Sequence, residues 1–398
     1  MKPFQRAIVE DLERGIRSDH RLLQVVIGPR QVGKTTAVQQ LLNRLKRPHH
    51  VASADTALPP GAEWIESHWN AARVLPAKAG APAILVLDEI QKVRGWSEVV
   101  KRLWDEARRA RRPLRVILLG SSSLLLQRGL VESLAGRFML YRCAHWSWTE
   151  CRRAFGWDLD RWLYFGGYPG AAPFADDEPL WKRYVADSLV EPAIARDVLQ
   201  LQTVHKPSLL RHLFAFAAAF PAQYVSYNKM LGQLQDAGNT TTLAHYLKLL
   251  ETAFLVSGLE LYSVGRGRRR GSSPKLILWN SALIHALSLL SFARARREGA
   301  WWGRVVENAV GAHLLNHLPE PVWQVTYWRE GNQEVDFVVT QGREVWALEV
   351  KSGRPGRLSG LAAFRARYPR SRALLIGSDG IPIEDFFARS PAEFFSRR

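Results

Sequence analysis

Gly28-Pro29-Arg30-Gln31-Val32-Gly33-Lys34-Thr35-Thr36 has the spacing G-x-x-x-x-G-K-T. An apolar run containing Leu22, Leu23, Val25, Val26 and Ile27 leads into it, and Val38, Leu41, Leu42 and Leu45 follow at helical spacing. Strand, glycine loop and helix in this order are the context of a P-loop. Glycines let backbone N–H groups close around phosphates, and the helix N-terminus adds its positive dipole. Lys34 is then expected to reach β- and γ-phosphates, and the Thr35 hydroxyl to ligate Mg²⁺.

Outward from the loop, residues 50–55 read as a strand, and Pro59-Pro60-Gly61 breaks the chain before a helix over 63–75 whose Trp64 and Trp69 read as packing residues. Ala83-Ile84-Leu85-Val86-Leu87 is an apolar strand that delivers Asp88 and Glu89 at its end, the pattern of Walker B. Asp88 is expected in the Mg²⁺ shell, and Glu89 to polarise an attacking water. Alone, the pair would also suit a helix N-terminus; the P-loop upstream gives it weight.

A basic helix follows over 97–112, with Lys101, Arg102, Arg108, Arg109, Arg111 and Arg112, and it suits either a solvated face or a nucleic-acid contact. The strand 115–120 then ends in Ser121, Ser122 and Ser123. Ser121, with Ser122 next, is the candidate for sensing the γ-phosphate. Arg137, in Leu134-Ala135-Gly136-Arg137-Phe138, precedes a strand-like run over 139–141. It is the candidate arginine finger, completing a neighbour's site if the protein forms a ring; a surface salt bridge is the competing reading.

The chain has 398 residues, long enough for two to four domains, and 47% apolar content supports real cores and excludes a disordered chain. A formal net charge of +18, from 55 Lys+Arg against 37 Asp+Glu, favours an anionic partner, although basic residues spread evenly over a surface would give the same sum. The cysteines, Cys143 and Cys151, lack histidines at metal-ligand spacing, so no disulfide framework or structural zinc is indicated and a reduced cytoplasmic setting is expected. The first residues lack a signal-peptide core, and the longest apolar run, 213–220, is too short to span a bilayer, so a soluble protein with no membrane partner is expected.

The wording GPRQVGKTT, LDEIQKV, LLGSSSLLL, LAGR and FGGYPGA resembles the bacterial and archaeal AAA-type ATPases that carry a C-terminal domain of unknown function with a restriction-endonuclease-like fold. The resemblance covers nearly the whole chain. It implies an AAA+ P-loop core of α/β class, a small helical lid over 148–200, and ATP with Mg²⁺ as ligand. By the same likeness Arg196 would be a lid arginine sensing nucleotide, and the family pattern has an aspartate where this chain has Asn280.

From Pro207 the pattern changes to short helices over 208–220, 226–236 and 240–252, with Gly238-Asn239 between the last two. The turn followed by Thr240, Thr241 and Thr242 resembles a helix-turn-helix. Strand-like runs over 254–262 and 275–279 flank Gly265-Arg266-Gly267-Arg268-Arg269-Arg270-Gly271, the composition of a wing lying along a phosphate backbone. DNA is the favoured partner of Arg266, Arg268, Arg269 and Arg270; a solvated hairpin or a protein contact are the alternatives. His245 and Lys248 on the candidate recognition helix are too few to read bases, so backbone or shape recognition is expected.

In the tail, a helix over 301–318 carries Glu307, and strands over 334–339 and 344–351 surround Gln341-Gly342. A two-residue hairpin loop would place Asp336 on one face with Glu349 and Lys351. The order Glu307, Asp336, Glu349-x-Lys351 resembles the PD-(D/E)xK nuclease superfamily, with Val335 where a proline usually stands. By that likeness Asp336 and Glu349 would bind Mg²⁺ or Mn²⁺, Glu307 would complete the shell, and Lys351 would orient water. Cross-strand salt bridges without metal are the alternative.

The expected organisation is therefore an AAA+ core over 1–147, a helical lid over 148–205, a winged helix over 206–282 and a nuclease-like α/β domain over 283–398. The expected activity is ATP hydrolysis coupled to work on DNA, as a motor, in branch migration or in remodelling, by a homo-oligomer of which a hexameric ring is one form. A nucleotide-gated, metal-dependent nuclease and a nucleotide switch that binds a protein partner are the alternatives.

Overall fold

A computed structural model describes residues 4–76, 81–110, 114–120, 130, 132–199, 204–234, 239–263, 273–353, 359–377 and 379–396. Its contacts divide the chain into two compact units, Met1–Ala144 and His145–Arg398.

The first unit runs α1 (Ile8–Arg17), β1 (Leu23–Ile27), α2 (Lys34–Leu45), β2 (His49–Ser53), α3 (Ala62–Arg73), β3 (Ile84–Asp88), α4 (Trp96–Arg109), β4 (Arg115–Gly120) and β5 (Phe138–Arg142). The strands lie in the order β2-β3-β4-β1-β5, each neighbouring pair parallel. Position in the sheet explains the burial. β1 is buried along its whole length and β4 along nearly all of it, as strands covered on both faces are, whereas β2 and β5 at the edges are mostly exposed or half-buried. Trp69 of α3, Trp96 and Trp104 of α4, and Leu85 and Leu87 of β3 share one core; Trp69 is fully buried and Trp64 packs partly buried beside it, as expected.

Register fixes the geometry of the site. Ile27 pairs with Gly120 on one side and Arg142 on the other, and Ser53 pairs with Asp88. The C-terminal ends of the strands are thus level, which is where open parallel sheets bind ligands.

The second unit begins with helices α5 (Trp148–Phe155), α6 (Leu159–Phe165) and α7 (Glu178–Tyr184), then π-helical turns at Val185–Val190 and Ala193–Leu199. α8 (Pro207–Ala219), α9 (Tyr227–Gln233) and α10 (Thr240–Thr252) precede an antiparallel pair, β6 (Val256–Leu259) and β7 (Lys275–Leu278). After α11 (Ala282–His285), α12 (Phe292–Arg297) and the long α13 (Gly299–His317) come β8 (Gln324–Glu330), β9 (Gln333–Gln341), β10 (Glu344–Lys351), α14 (Ser359–Arg367), β11 (Arg372–Gly377), α15 (Ile383–Ala388) and α16 (Pro391–Phe395). The larger sheet has the order β11-β10-β9-β8, antiparallel across β8-β9-β10 and parallel at β10-β11.

The segments expected as lid, winged helix and tail fall within this single unit, and the division comes after Ala144 rather than after residue 147. Hydrogen bonds explain why β7 belongs with the tail. The buried Asn308 side chain of α13 accepts the Leu278 N–H and donates to the Leu278 carbonyl, both at 2.9 Å. Tyr262 and Tyr327 bond through backbone at 2.7 Å, and the Tyr327 hydroxyl donates to the Ser273 carbonyl.

Candidate functional site

Between β1 and α2 the loop 28–33 turns through two backbone positions in the left-handed region. Gly33 has φ +88 and caps α2 without any side-chain cap; Gln31 has φ +60. A helix that starts on a bare glycine leaves its N-terminal N–H groups to an external acceptor. Gly28 is required for a different reason: a Cβ there would lie 2.1 Å from the Cys143 carbonyl oxygen. Pro29 is buried and Arg30 partly exposed in the same loop.

Lys34 is buried, and its ammonium donates to the carbonyls of Gly28 at 2.9 Å and Pro29 at 2.7 Å. Thr35 Oγ1 donates to Asp88 Oδ2 at 2.9 Å, and Asp88 Oδ1 accepts the Glu89 N–H at 2.8 Å. Glu89 stands with φ +53, left-handed without being glycine, a conformation that costs about 1–3 kcal/mol and persists where its surroundings fix it. Its Oε2 accepts from Gln91 Nε2 at 2.6 Å. Thr36 is exposed on the first turn of α2.

The donor set fits Mg²⁺ and a polyphosphate. A hydroxyl and a carboxylate oxygen at hydrogen-bond distance are hard ligands that one Mg²⁺ can share, and the uncapped helix end with its lysine suits phosphate oxygens.

A residue that the sequence reading passed over braces this loop. Arg6 is buried, and its Nη1 donates to Val32 O at 3.1 Å and Ala144 O at 3.0 Å, with Cys143 Sγ at 3.2 Å. Because the C=O and N–H of a trans peptide point to opposite sides, fixing Val32 O turns the Gly33 N–H away from Arg6.

Arg137 is partly exposed and paired within its own chain. Its Nε and Nη2 form a two-pronged ion pair with Asp105 of α4, both contacts 3.0 Å, and Nη1 donates to Ala135 O at 3.2 Å. The Arg137 hydrogen bond holds the Asp105 carboxyl below its ordinary value. Within its own chain this is the salt-bridge arrangement, with both prongs of the planar guanidinium on one carboxylate. Ser121 and Ser122, the wing residues Arg266, Arg268, Arg269 and Arg270, and the Arg196 side chain lie outside the described residues.

In the second unit the β9-β10 register pairs Leu348 with Phe337, so that the next facing pair is Glu349 and Asp336. The hairpin loop is two residues, Gly342 and Arg343, as the expected parity requires. Asp336 Oδ2 accepts the Val350 N–H at 2.8 Å, and Lys351 Nζ donates to Glu349 Oε1 at 2.6 Å. Glu307 of α13 is brought to the same cluster, but through a lysine the sequence reading treated only as part of a strand. Lys275, at the head of β7 and 4% exposed, places Nζ 2.5 Å from Glu307 Oε1, 3.5 Å from Asp336 Oδ1 and 3.0 Å from Asp336 O. Burial pulls the Lys275 ammonium down, but Glu307 and Asp336 outweigh it and hold the lysine above its ordinary range. Burial pushes the Glu307 and Glu349 carboxyls up.

This geometry does not fit the expected metal shell. Among the described residues no group of three His, Cys, Asp or Glu side chains is arranged to hold a metal ion. The ammonium of Lys275 sits against two of the three carboxylates, Glu307 and Asp336, where Mg²⁺ or Mn²⁺ would have to coordinate.

Asn280 makes a contact in the same unit. Its Oδ1 accepts the N–H groups of Gly167 at 3.0 Å and Ala282 at 3.1 Å, while Nδ2 lies 3.0 Å from His145 Nδ1. An amide donating there makes His145 Nδ1 an acceptor, with its proton on Nε2, 3.4 Å from Phe254 O.

Residues 20–152 match the family model described as an AAA domain; 156–294 and 302–388 match two domains of unknown function, DUF8612 and DUF4143. The uncharacterized protein Rv2008c of Mycobacterium tuberculosis is 27% identical over 389 residues, covering 95% of this chain and 82% of that protein. An uncharacterized protein of Haemophilus influenzae is 24% identical over 353 residues, covering 83% of each. Among solved structures, the Walker-type ATPase PABY2304 of Pyrococcus abyssi superposes with a TM-score of 0.47 at 16% identity, over 71% of this chain and 95% of that one. A superposition this loose leaves the functional reading to the residues themselves. Residues 20–152 match an AAA domain and carry their P-loop on a parallel α/β sheet, which supports an AAA-type ATPase.

Proposed function

We propose that this chain binds and hydrolyses ATP with Mg²⁺ and acts on DNA. The observation that carries the first half is the pairing of Thr35 with Asp88 at the mouth of an uncapped helix, with Glu89 next in sequence. Bound Mg-ATP supplies the phosphoryl group and the charge that polarises it. The protein's own residues do the rest. The loop 28–36 orients phosphates through backbone N–H groups, and Lys34 exchanges two carbonyls for phosphate oxygens. Thr35 and Asp88 hold the metal, and Glu89 orients and polarises the water. Ser121 would sense the γ-phosphate.

DNA as the partner is supported by the excess of 55 Lys+Arg over 37 Asp+Glu and by the sequence clustering of Arg266, Arg268, Arg269 and Arg270, which suits phosphate-backbone recognition. A homo-oligomer is part of the same proposal. Among the described residues no helix is long and apolar enough to cross a membrane.

The test is steady-state ATP hydrolysis with and without single-stranded, duplex and branched DNA, comparing the unmodified protein with Glu89→Gln. Hydrolysis stimulated by one DNA form and lost in the variant is the expected result. Hydrolysis lost in the variant but indifferent to every DNA would sink action on DNA and favour a switch that binds a protein partner.

A further inference from the structure

The cluster in the second unit contains three carboxylates, Glu307, Asp336 and Glu349, and two ammonium groups, Lys275 and Lys351. The two lysines are placed differently. Lys351 donates to the carboxylate two residues away on its own strand and remains about a quarter exposed. Lys275 comes from β7, is almost fully buried, and directs Nζ at Glu307 Oε1, Asp336 Oδ1 and the Asp336 carbonyl. Nζ hydrogen-bonds Glu307 and the Asp336 carbonyl, and pairs by charge with Asp336 Oδ1 at 3.5 Å. Phe337 covers it from the side, its ring centre 4.8 Å from Nζ.

We propose that Lys275 is the resident cation of this pocket, standing in place of a divalent metal, and that a latent metal site formed by Glu307, Asp336 and Glu349 lies beneath it. Glu349 supplies the independent sign of a ligand position: its Oε2 is buried and has no hydrogen-bond partner, while Glu349 as a whole is 6% exposed. A buried carboxylate oxygen left without a donor is costly and is the natural first ligand for an incoming cation. What excludes that cation is Lys275, because any position within coordinating distance of both Glu307 and Asp336 brings a divalent charge against an ammonium held by the same oxygens. The lysine also fastens β7 to α13 and β9 through one atom, a mechanical role that a mobile aqueous ion fills less permanently.

The proposal is independent of the nucleotide site. It is tested with the full-length chain free of nucleotide, titrated with Mn²⁺ and read by loss of the free-ion EPR signal. The unmodified protein and Asp336→Asn are expected to give superimposable curves. Lys275→Met, of similar length without the charge, is expected to take up one further Mn²⁺ per chain, and Lys275→Met combined with Asp336→Asn to lose it. More Mn²⁺ on the unmodified protein than on Asp336→Asn would overturn the proposal. So would a Lys275→Met variant that unfolds cooperatively yet takes up no more than its Asp336→Asn counterpart. If Lys275→Met does not fold, the comparison of the unmodified protein with Asp336→Asn still decides.

Discussion

Replacing Arg6 by alanine tests whether the P-loop is held from beneath. Arg6 is 9% exposed, and its guanidinium donates to the carbonyls of Val32 and Ala144. Hydrogen bonds from a charged donor contribute about 1.5–3 kcal/mol each, so losing both should destabilise the first unit by about 3–5 kcal/mol after local relaxation. Only the Val32 bond bears on the nucleotide. Releasing it lets the Val32-Gly33 peptide rotate, and a share of about 1.4 kcal/mol falling on the bound loop weakens nucleotide binding about tenfold. Titration of a fluorescent ATP analogue, alongside thermal unfolding, separates the two effects. Arg6→Lys keeps a point charge without the planar fork and should fall between. Arg6→Ala with a lowered melting temperature but nucleotide affinity within about twofold of the unmodified protein would refute the bracing argument and leave Arg6 as a core residue.

Arg137→Ala should leave the ATPase rate within about threefold, and Asp105→Ala should match it, because the two residues fill each other; a loss of about a thousandfold in kcat would restore the arginine-finger reading. His285 is fully buried, stacks on Tyr164, donates Nδ1–H to Tyr164 O at 2.9 Å, and leaves Nε2 without a partner. Burial pushes its pKa down to about 3, so its contribution to stability is present above the unfolded value near 6.5 and erodes by about 1.4 kcal/mol per pH unit below it; urea midpoints at pH 7 and 5.5 should show that slope and its loss in His285→Phe. Asn280→Asp removes the donor facing His145 Nδ1 and sets an acceptor against an acceptor in a buried position, so the variant should unfold at a lower urea midpoint than the unmodified protein at pH 7.

Local chemistry was legible in the sequence. The P-loop, the strand ending in Asp88-Glu89, helix α10 over Thr240–Thr252 and the parity that puts Asp336 opposite Glu349 are all set by spacing within a few residues. What escaped depends on partners distant in the chain. Arg6 meets Val32 across 26 residues and Ala144 across 138, and nothing near Arg6 marks it. Arg137 meets Asp105 across 32 residues, so its position before a strand could not name the salt-bridge partner. Lys275 did leave a trace: a charged residue heading Lys275-Leu276-Ile277-Leu278, a strand otherwise built for full burial, needs buried counter-charges. The tie between β7 and the tail rests on Asn308 and Tyr327, neither of which carries a motif.

The two buried lysines show how the same side chain is made available in one unit and withheld in the other. Lys34 donates to two neutral backbone carbonyls. A phosphate oxygen forms a charge-assisted bond roughly twice as strong, so an arriving nucleotide outcompetes the loop, and the released carbonyls reopen the backbone that cradles it. Lys275 donates to carboxylates that are themselves buried. An incoming anion offers it nothing it lacks, and an incoming cation must displace it from partners whose charges would be stranded if it left. The acceptor, not the lysine, decides whether the group is poised for exchange. On that ground the first unit is built to turn over a ligand, and the carboxylate cluster of the second is built to stay closed until Lys275 is removed.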